Sequence, residues 1–339
     1  MKLLKLLARS TVFPIVHFLR LDTLIGSMAA QQHLVLCFHG VTNNPNFKIN
    51  NRHMPVHEFD RLIRYISRNY TVVSVDELFN QLENGTPKNK KKRICLTFDD
   101  GYLNNLTTAL PILEKYQVPA TFYIISEGID NPDFLVWTDL LDLILVNLTD
   151  NHLILNNYRF EKIQGTFSCE ALKGIDLITY LKSTGPEKYS WLHALAAEMP
   201  QIESFKQANP DYWKLLDRTL LKQFDQSPYV TIGSHTKTHH NLANVDAALV
   251  DLELQLSKQE LEAVLEHSID SIAYPDGSYN ESVKDAAERI GYTHQFAVTY
   301  KTADDRTDHR ILPRLGISNS TTHQSTILRM NRSFKQLGF

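Results

Sequence analysis

At 339 residues, with 43% hydrophobic and 22% charged side chains, the chain is a globular protein of one large domain or two ordinary ones. Its 35 basic and 38 acidic residues leave a formal balance of −3, which gives no electrostatic footprint for nucleic acid. Three scattered cysteines, Cys37, Cys95 and Cys169, exclude a disulfide framework. Cys37 and Cys95 lie in apolar, strand-like runs and read as buried thiols, which fits a reducing compartment.

The first 33 residues stand apart from the remainder, 34–339. Met1–Arg20 is basic and apolar, with Lys2, Lys5, Arg9 and Arg20, and its apolar run Thr11–Leu19 is too short to span a bilayer. We expect a basic amphipathic segment that packs on the domain or rests on an anionic membrane surface, in a cytoplasmic protein. Export behind a signal peptide is the alternative. Leu34–Gly40 then reads as a buried strand ending at His39. Phe59, Leu62, Ile63 and Ile66 recur at helical spacing and predict a helix near His57–Arg68. A short strand at Tyr70–Val73 and a helix at Val75–Leu82 lead into a surface loop carrying Lys88, Lys90, Lys91 and Lys92.

The run Ile94–Phe98 predicts a strand that stops at Asp99-Asp100-Gly101, followed by a helix over Leu103–Tyr116 and a strand over Pro119–Ile125. Strand, helix, strand at this pace indicates a parallel sheet. The rhythm breaks between about residues 131 and 218. That stretch predicts a helix at Trp137–Leu148, a hairpin strand near Leu153–Phe160 and a mostly helical Glu170–Met199, and so reads as an insertion. The rhythm resumes with a strand at Tyr229–Gly233 and a long helix, Val245–His267, with Leu249, Leu252 and Leu256 on one face. Strand Ser271–Tyr274, helix Ser282–Ile290 and strands Gln295–Val298 and Ile311–Ile317 close the fold.

Two adjacent carboxylates at a buried strand end are costly unless a cation or a proton separates their roles. Asp-Asp-Gly is also ordinary turn chemistry. His235 and His239 are four apart, so on a helical turn both rings share a face. Two imidazoles with one carboxylate make an open-sided divalent metal site, and Asp100 is the natural third ligand if the strand ends at Gly101 and Gly233 meet at one rim. The competing reading of the histidines is surface or capping residues.

Taken together, Thr97-Phe-Asp-Asp-Gly101 and Ser234-His-Thr-Lys-Thr-His239 resemble the first two motifs of the polysaccharide deacetylases, carbohydrate esterase family 4. The resemblance runs from about Leu34 to Ile317, without the insertion. It implies a distorted (β/α) barrel carrying an inserted, mainly helical segment. It also implies metal-dependent removal of acetyl groups from a glycan, with Asp99 as general base and Asp100, His235 and His239 holding the metal. One divalent ion is implied, zinc foremost, with cobalt, nickel, manganese or iron as alternatives.

The family's C-terminal Leu-x-His, which protonates the leaving amine, has no counterpart here. His39 is expected in its place, as in a branch similar to exopolysaccharide deacetylases whose acid-bearing strand lies near the N-terminus. Ala273-Tyr-Pro-Asp-Gly277 sits where the third motif is usually Arg-Pro-Pro-Tyr-Gly. Asp276 is expected to offer its backbone N–H to the developing oxyanion, with Tyr274 beside the substrate, and Arg314 to replace the missing arginine next to Asp99.

His240 reads as a bystander. Trp137, Trp191 and Trp213 fall in the insertion, as core or as sugar-stacking platforms, and His53 and Tyr102 lie near the rim loops. The expected substrate is an N-acetylated sugar of a polysaccharide or its lipid-linked precursor, with peripheral membrane contact through the N-terminal segment. The alternatives are a catalytically inactive glycan-binding barrel and a mononuclear iron oxygenase. Acetate release and oxygen consumption separate the three.

Overall fold

A computed structural model describes residues 33–46, 48–84, 91–318 and 323–336. The segment Met1–Arg20 and the loop positions Lys88 and Lys90 lie outside the described residues. The strands are β1 (His33–Phe38), β2 (Gly40–Thr42), β3 (His53–Pro55), β4 (Thr71–Val72), β5 (Arg93–Phe98), β6 (Ala120–Ile124), β7 (His152–Leu155), β8 (Tyr158–Ile163), β9 (Thr166–Cys169), β10 (Ile175–Asp176), β11 (Val230–Ser234), β12 (Ser271–Ala273), β13 (His294–Ala297), β14 (Ile311–Pro313) and β15 (Leu315–Gly316).

The main sheet runs β14-β13-β12-β11-β6-β5-β1-β15, with β4 paired beside β5 and every pairing parallel. β14 and β15 are two halves of one extended stretch. The first half pairs with β13 and the second with β1, so the sheet curls into a nearly closed barrel. Arg314 is the residue at the switch. The expected distorted (β/α) barrel is therefore the observed fold.

Strand parity sorts the side chains. Leu34, Leu36 and Phe38 of β1 and Ile94, Leu96 and Phe98 of β5 belong to the large apolar layer between sheet and helices. Val35, Cys95, Tyr123, Ala273 and Phe296 form a separate cluster on the opposite face, inside the barrel. Helix α1 (Val56–Asn69) packs through Phe59, Leu62, Ile63 and Ile66, the predicted stripe. Helix α2 (Val75–Asn84) follows. Leu103–Tyr116 is helical but not uniform: Asn105–Ala109 is a π-turn that passes into α3 (Leu110–Tyr116) just before Pro111, whose ring cannot donate to the ladder.

Four insertion helices, α4 (Trp137–Asn147), α5 (Leu177–Ser183), α6 (Glu187–Ala197) and α7 (Gln201–Ala208), share a core with an antiparallel sheet, β10-β9-β8-β7. The helical reading of Glu170–Met199 missed part of this sheet. Asn156-Asn157 and Gln164-Gly165 form two-residue hairpin turns with both φ positive, and only alternate residues such as Phe160 and Phe167 are buried between them.

Beyond the insertion, α8 (Arg218–Asp225) precedes β11, and α9 (Ala247–Leu265) follows it. The stripe of Leu249, Leu252 and Leu256 is not the buried face of α9. Leu252 is 51% exposed, whereas Val250, Glu253, Leu254, Ser257, Leu261 and Val264 are buried. Glu253 and Ser257 turn inward because they bind the loop after β11 and the last residue of β11. Helices α10 (Glu281–Ile290) and α11 (His323–Gln336) complete the described chain. Among the described residues, no helix is long and apolar enough to cross a membrane.

Candidate active site

The site lies at the C-terminal ends of the barrel strands, where backbone bonds extend the ladder into the loops. Asp99 N–H donates to Phe38 O (2.9 Å), His235 N–H to Ile124 O (2.8 Å) and Arg314 N–H to Ala297 O (2.9 Å). Parity continues through Cys95 and Thr97 to Asp99, so the Asp99 carboxylate enters the barrel mouth. There Arg314 grips it as a fork, Nη1 to Oδ1 at 2.6 Å and Nη2 to Oδ2 at 2.8 Å. Cys37 lies 3.2 Å from the same Oδ2. Burial opposes ionisation of Asp99, but the guanidinium overrides it, with His235 and His39 adding. The carboxyl stays well below the usual range. Arg314 thus stands where the missing third-motif arginine was expected to be replaced.

Asp100 leaves the strand line by adopting φ 74, and Gly101 follows at φ 79. A Cβ on Gly101 would also meet Ile124 Cδ1 at 3.0 Å, so the tight turn needs glycine on two counts. This turn brings Asp100 Oδ1 to 3.5 Å from Nε2 of both His235 and His239.

The two histidines do not sit on a helical turn. β11 ends at Ser234, and the loop turns through positive φ at Thr236 and at His239 itself, with ring centroids 5.0 Å apart. What convergence the helix was expected to supply comes instead from α9. Its Glu253 accepts the Thr238 N–H at 2.9 Å, Glu260 holds Lys237 at 2.7 Å, and Ser257 Oγ meets Ser234 Oγ at 2.8 Å.

These residues fit a divalent cation. Asp100 Oδ1 is buried without a hydrogen-bond partner. The Nδ1–H of His235 donates to Ala273 O at 2.7 Å, which leaves its Nε2 lone pair toward Asp100. The candidate ligand atoms of Asp100, His235 and His239 lie within 4.8 Å of one another. The two 3.5 Å separations are close to the about 3.4 Å edge spanned by tetrahedral ligands at zinc bond lengths. Burial, Asp139 and Asp99 all oppose charge on Asp100 and outweigh the opposing pull of Arg52, so a cation there would relieve the remaining field.

A cavity of about 380 Å³ opens over these groups and is also lined by His39, Tyr274, Asp276 and Gly277. His39 follows directly on β1 and is half-buried, and burial lowers its imidazole to about 4 although Asp99 pulls the other way. Its ring nitrogen lies within 4.8 Å of an Asp99 carboxylate oxygen.

Tyr274 lines the cavity but its hydroxyl is spent elsewhere. It follows the inward Ala273, so parity turns it outward, where it donates to Gln295 Oε1 at 2.8 Å. Asp276 adopts φ 56, and its carboxylate reaches Lys182 of α5 at 2.7 Å. Trp137 and Trp213 are buried in the insertion core, and Trp191 stacks on Tyr180 within that cluster, so none stands as an open platform for a sugar. His240 packs against Tyr189, away from the Asp100 group.

Sequence reasoning missed the insertion's share of the site. Asp142, Ile178 and Lys182 line the cavity, with Arg52 from the loop before β3 beside them. Asp139 accepts the Tyr102 hydroxyl (2.9 Å) and pairs with Arg52, so the loop after Asp100 is anchored to α4. His53 packs on Tyr102 and meets Asn104 Nδ2 at 3.0 Å, beneath the rim. Only the regular spacing of Asp139 and Asp142 on an apolar helix hinted at this.

The family model described as polysaccharide deacetylase matches residues 86–164 and 190–295, over half of the chain. YxkH of Bacillus subtilis (strain 168), which carries a polysaccharide deacetylase designation, is 27% identical over 128 residues, 36% of this chain and 44% of YxkH. The bifunctional xylanase/deacetylase of Pseudobutyrivibrio xylanivorans is 43% identical over 47 residues, 14% of this chain and 8% of that protein. The chain therefore matches less than half the length of these relatives.

Two solved structures share the fold. Deacetylase PplD of Streptococcus pyogenes, in complex with acetate, has 18% identity and a TM-score of 0.56, covering 88% of this chain and 98% of PplD. IcaB of Ammonifex degensii has 14% identity and a TM-score of 0.55, covering 90% and 98%. With the family match spanning both the strand that ends at Asp99-Asp100 and the loop of His235 and His239, the chain belongs to the polysaccharide deacetylase family.

Proposed function

We propose that this protein removes acetyl groups, N-acetyl foremost, from sugars of a polysaccharide, using one divalent metal. The observation that carries the reading is the division of labour between neighbours: Asp100 Oδ1 lies 3.5 Å from both imidazoles, while the Arg314 fork claims both oxygens of Asp99, whose Oδ2 is 4.0 Å from His235. A pure binding module has no need of that second, separately oriented carboxylate.

Asp100, His235 and His239 hold the metal, zinc being the best match for one oxygen and two nitrogen donors. When bound, the metal supplies Lewis acidity to the acetyl carbonyl and to the attacking water. Asp99 takes the proton from that water as its oxygen bonds to the acetyl carbon. The fork lowers the basicity of Asp99, so Asp99 depends on an acidified water. It gains in return a fixed orientation inside the barrel mouth. As the C–N bond breaks, the amine needs a proton, and His39 delivers it. His39 rests neutral, so its proton comes within the turnover from Asp99, whose carboxylate is within 4.8 Å. Acetate and a sugar amine leave with atoms balanced. The Asp276 backbone N–H faces the oxyanion in this scheme.

A lipid-linked precursor met at the cytoplasmic membrane surface by the basic N-terminal segment is the finer form of this proposal. It rests on the sequence of Met1–Arg20 and is tested by sedimentation of the full chain with anionic vesicles.

The central test is acetate release from acetylated oligosaccharides by metal-loaded protein, with chelated protein and Asp99→Asn as controls. Release should vanish on chelation, return with zinc, and fall about 10²- to 10⁴-fold in Asp99→Asn. Metal-loaded protein that releases no acetate from any acetylated glycan would refute the proposal, and oxygen consumption with bound iron would point to the oxygenase instead.

A further inference from the structure

Asp276 holds a carboxylate whose second oxygen has no partner. Its side chain is only 9% exposed, Oδ1 is paired with Lys182 Nζ at 2.7 Å, and Oδ2 is buried without a hydrogen bond. Both residues line the cavity over Asp99 and Asp100. A lone buried acceptor of this kind costs stability unless something supplies a donor. The Lys182 ammonium has three N–H donors, so two remain after Asp276.

The pair bridges two parts of the chain that are tied together next to it. Asn241, just after the His239 loop, donates through Nδ2 to Lys182 O at 3.0 Å, and Asn244 donates to the same oxygen at 2.7 Å. Ser278, two residues after Asp276, bonds the other end of the Asn241 amide. The end of α5 and the Pro275–Gly277 turn are thus fixed to each other and to the loop of His239. Ile178, 49% exposed, and Val298, 44% exposed, line the same cavity and present apolar surface near the pair.

Every lysine and arginine lining the cavity has an acidic partner, and Asp100 is left over for the metal. Arg314 pairs with Asp99, Lys182 with Asp276, and Arg52 with Asp142 at 2.6 Å. No cation of this lining is left over to draw an anionic polymer, and an acceptor beside two spare donors suits sugar hydroxyls.

We propose that Asp276 and Lys182 form a hydroxyl-reading subsite that selects an uncharged acetylated amino sugar. Asp276 Oδ2 accepts an O–H from one hydroxyl, Lys182 donates to a neighbouring hydroxyl oxygen, and Ile178 and Val298 pack on the C–H face of the ring. The identity of the sugar as the one deacetylated rests on the reaction proposed above. The subsite itself is read by binding.

Asp276→Asn is the informative variant because asparagine tolerates the left-handed backbone at φ 56. Lys182 would claim the amide oxygen, which turns an NH2 donor into the place where an acceptor is needed. Binding of N,N′,N″-triacetylchitotriose to the zinc-loaded full chain is measured calorimetrically in the Asp99→Asn background, so that turnover does not interfere. Acetate release by the wild type is scored separately, and it alone decides the reaction.

Adding Asp276→Asn should weaken binding about 10- to 100-fold, and Lys182→Met, which keeps the apolar stem, about 3- to 10-fold. A galacturonate trimer should bind at least about tenfold more weakly than the acetylated trimer. Dissociation constants within twofold of the parent in both variants, no binding of the acetylated trimer to the parent, or preference for the uronate would each overturn the subsite.

Discussion

The Arg314 fork offers the sharpest test of how the site works. Replacing Arg314 with lysine keeps a cation but loses the planar pair of donors at 2.6 and 2.8 Å from Asp99. One hydrogen bond to a charged acceptor is worth about 1.5–3 kcal/mol. At about 1.4 kcal/mol per decade, its loss from the reacting geometry should lower kcat about 10- to 150-fold. KM and zinc content should stay near wild type, because Asp100, His235 and His239 are untouched. Arg314→Met goes further. It leaves a carboxylate whose side chain is only 6% exposed without its counter-ion, a change that costs about 3–5 kcal/mol of stability. Steady-state acetate release, zinc content and denaturant unfolding measure all three quantities. A lysine variant with kcat within about threefold of wild type, or one whose KM alone rises, would refute the view that the fork orients the base.

Gly101→Ala should cost about 1–2 kcal/mol, because φ 79 is unfavourable for alanine, with added strain from Ile124 Cδ1. Since Gly101 follows Asp100, zinc affinity should fall as well, and a variant that unfolds and binds zinc as wild type would contradict the role given to this turn. Far from the site, Lys284 Nζ meets Asp305 at 2.8 Å and Asp308 at 2.7 Å, with Lys284 2% and Asp305 1% exposed. Burial opposes ionisation of both aspartates, yet Lys284 at Asp305, and Arg310 followed by Lys284 at Asp308, hold them below the ordinary carboxylate range. Their contribution to stability is therefore present above the unfolded value of about 4 and is lost as pH falls through the lower folded values. Lys284→Met should destabilise by about 3–5 kcal/mol at neutral pH and flatten the acid limb of the unfolding profile. An unchanged acid limb would remove this cluster from the explanation.

Much of the barrel was legible because local periodicity reports local environment. The apolar run Ile94–Phe98, buried on both faces, and the one-sided stripe of α1 each follow from how a single element meets the core. Parity alone would have turned Tyr274 outward once Ala273 was known to face in, a signal present in the sequence and not used. The turns at Asn156-Asn157 and Gln164-Gly165 were written in local turn chemistry, but the sequence reading drew from it only one hairpin strand near Leu153–Phe160. The convergence of His235 and His239 was anticipated for the wrong reason, since a spacing of four is shared by a helical turn and by a loop with two left-handed residues.

The Asp99-Asp100-Gly101 strand end and the two histidines, with the kinds of chemistry they permit, were determined by the sequence itself, because residue type and short spacing are local properties. Only the tertiary structure decided which distant groups complete them. Arg314 is 215 positions from Asp99 and reaches it because the last strand closes the barrel and changes partner there. Lys182 and Asp142 reach the same mouth because the insertion folds back over the rim, where Asp142 meets Arg52 from the loop before β3. Such pairings depend on chain closure across the whole molecule, and no local pattern in a single sequence carries that distance.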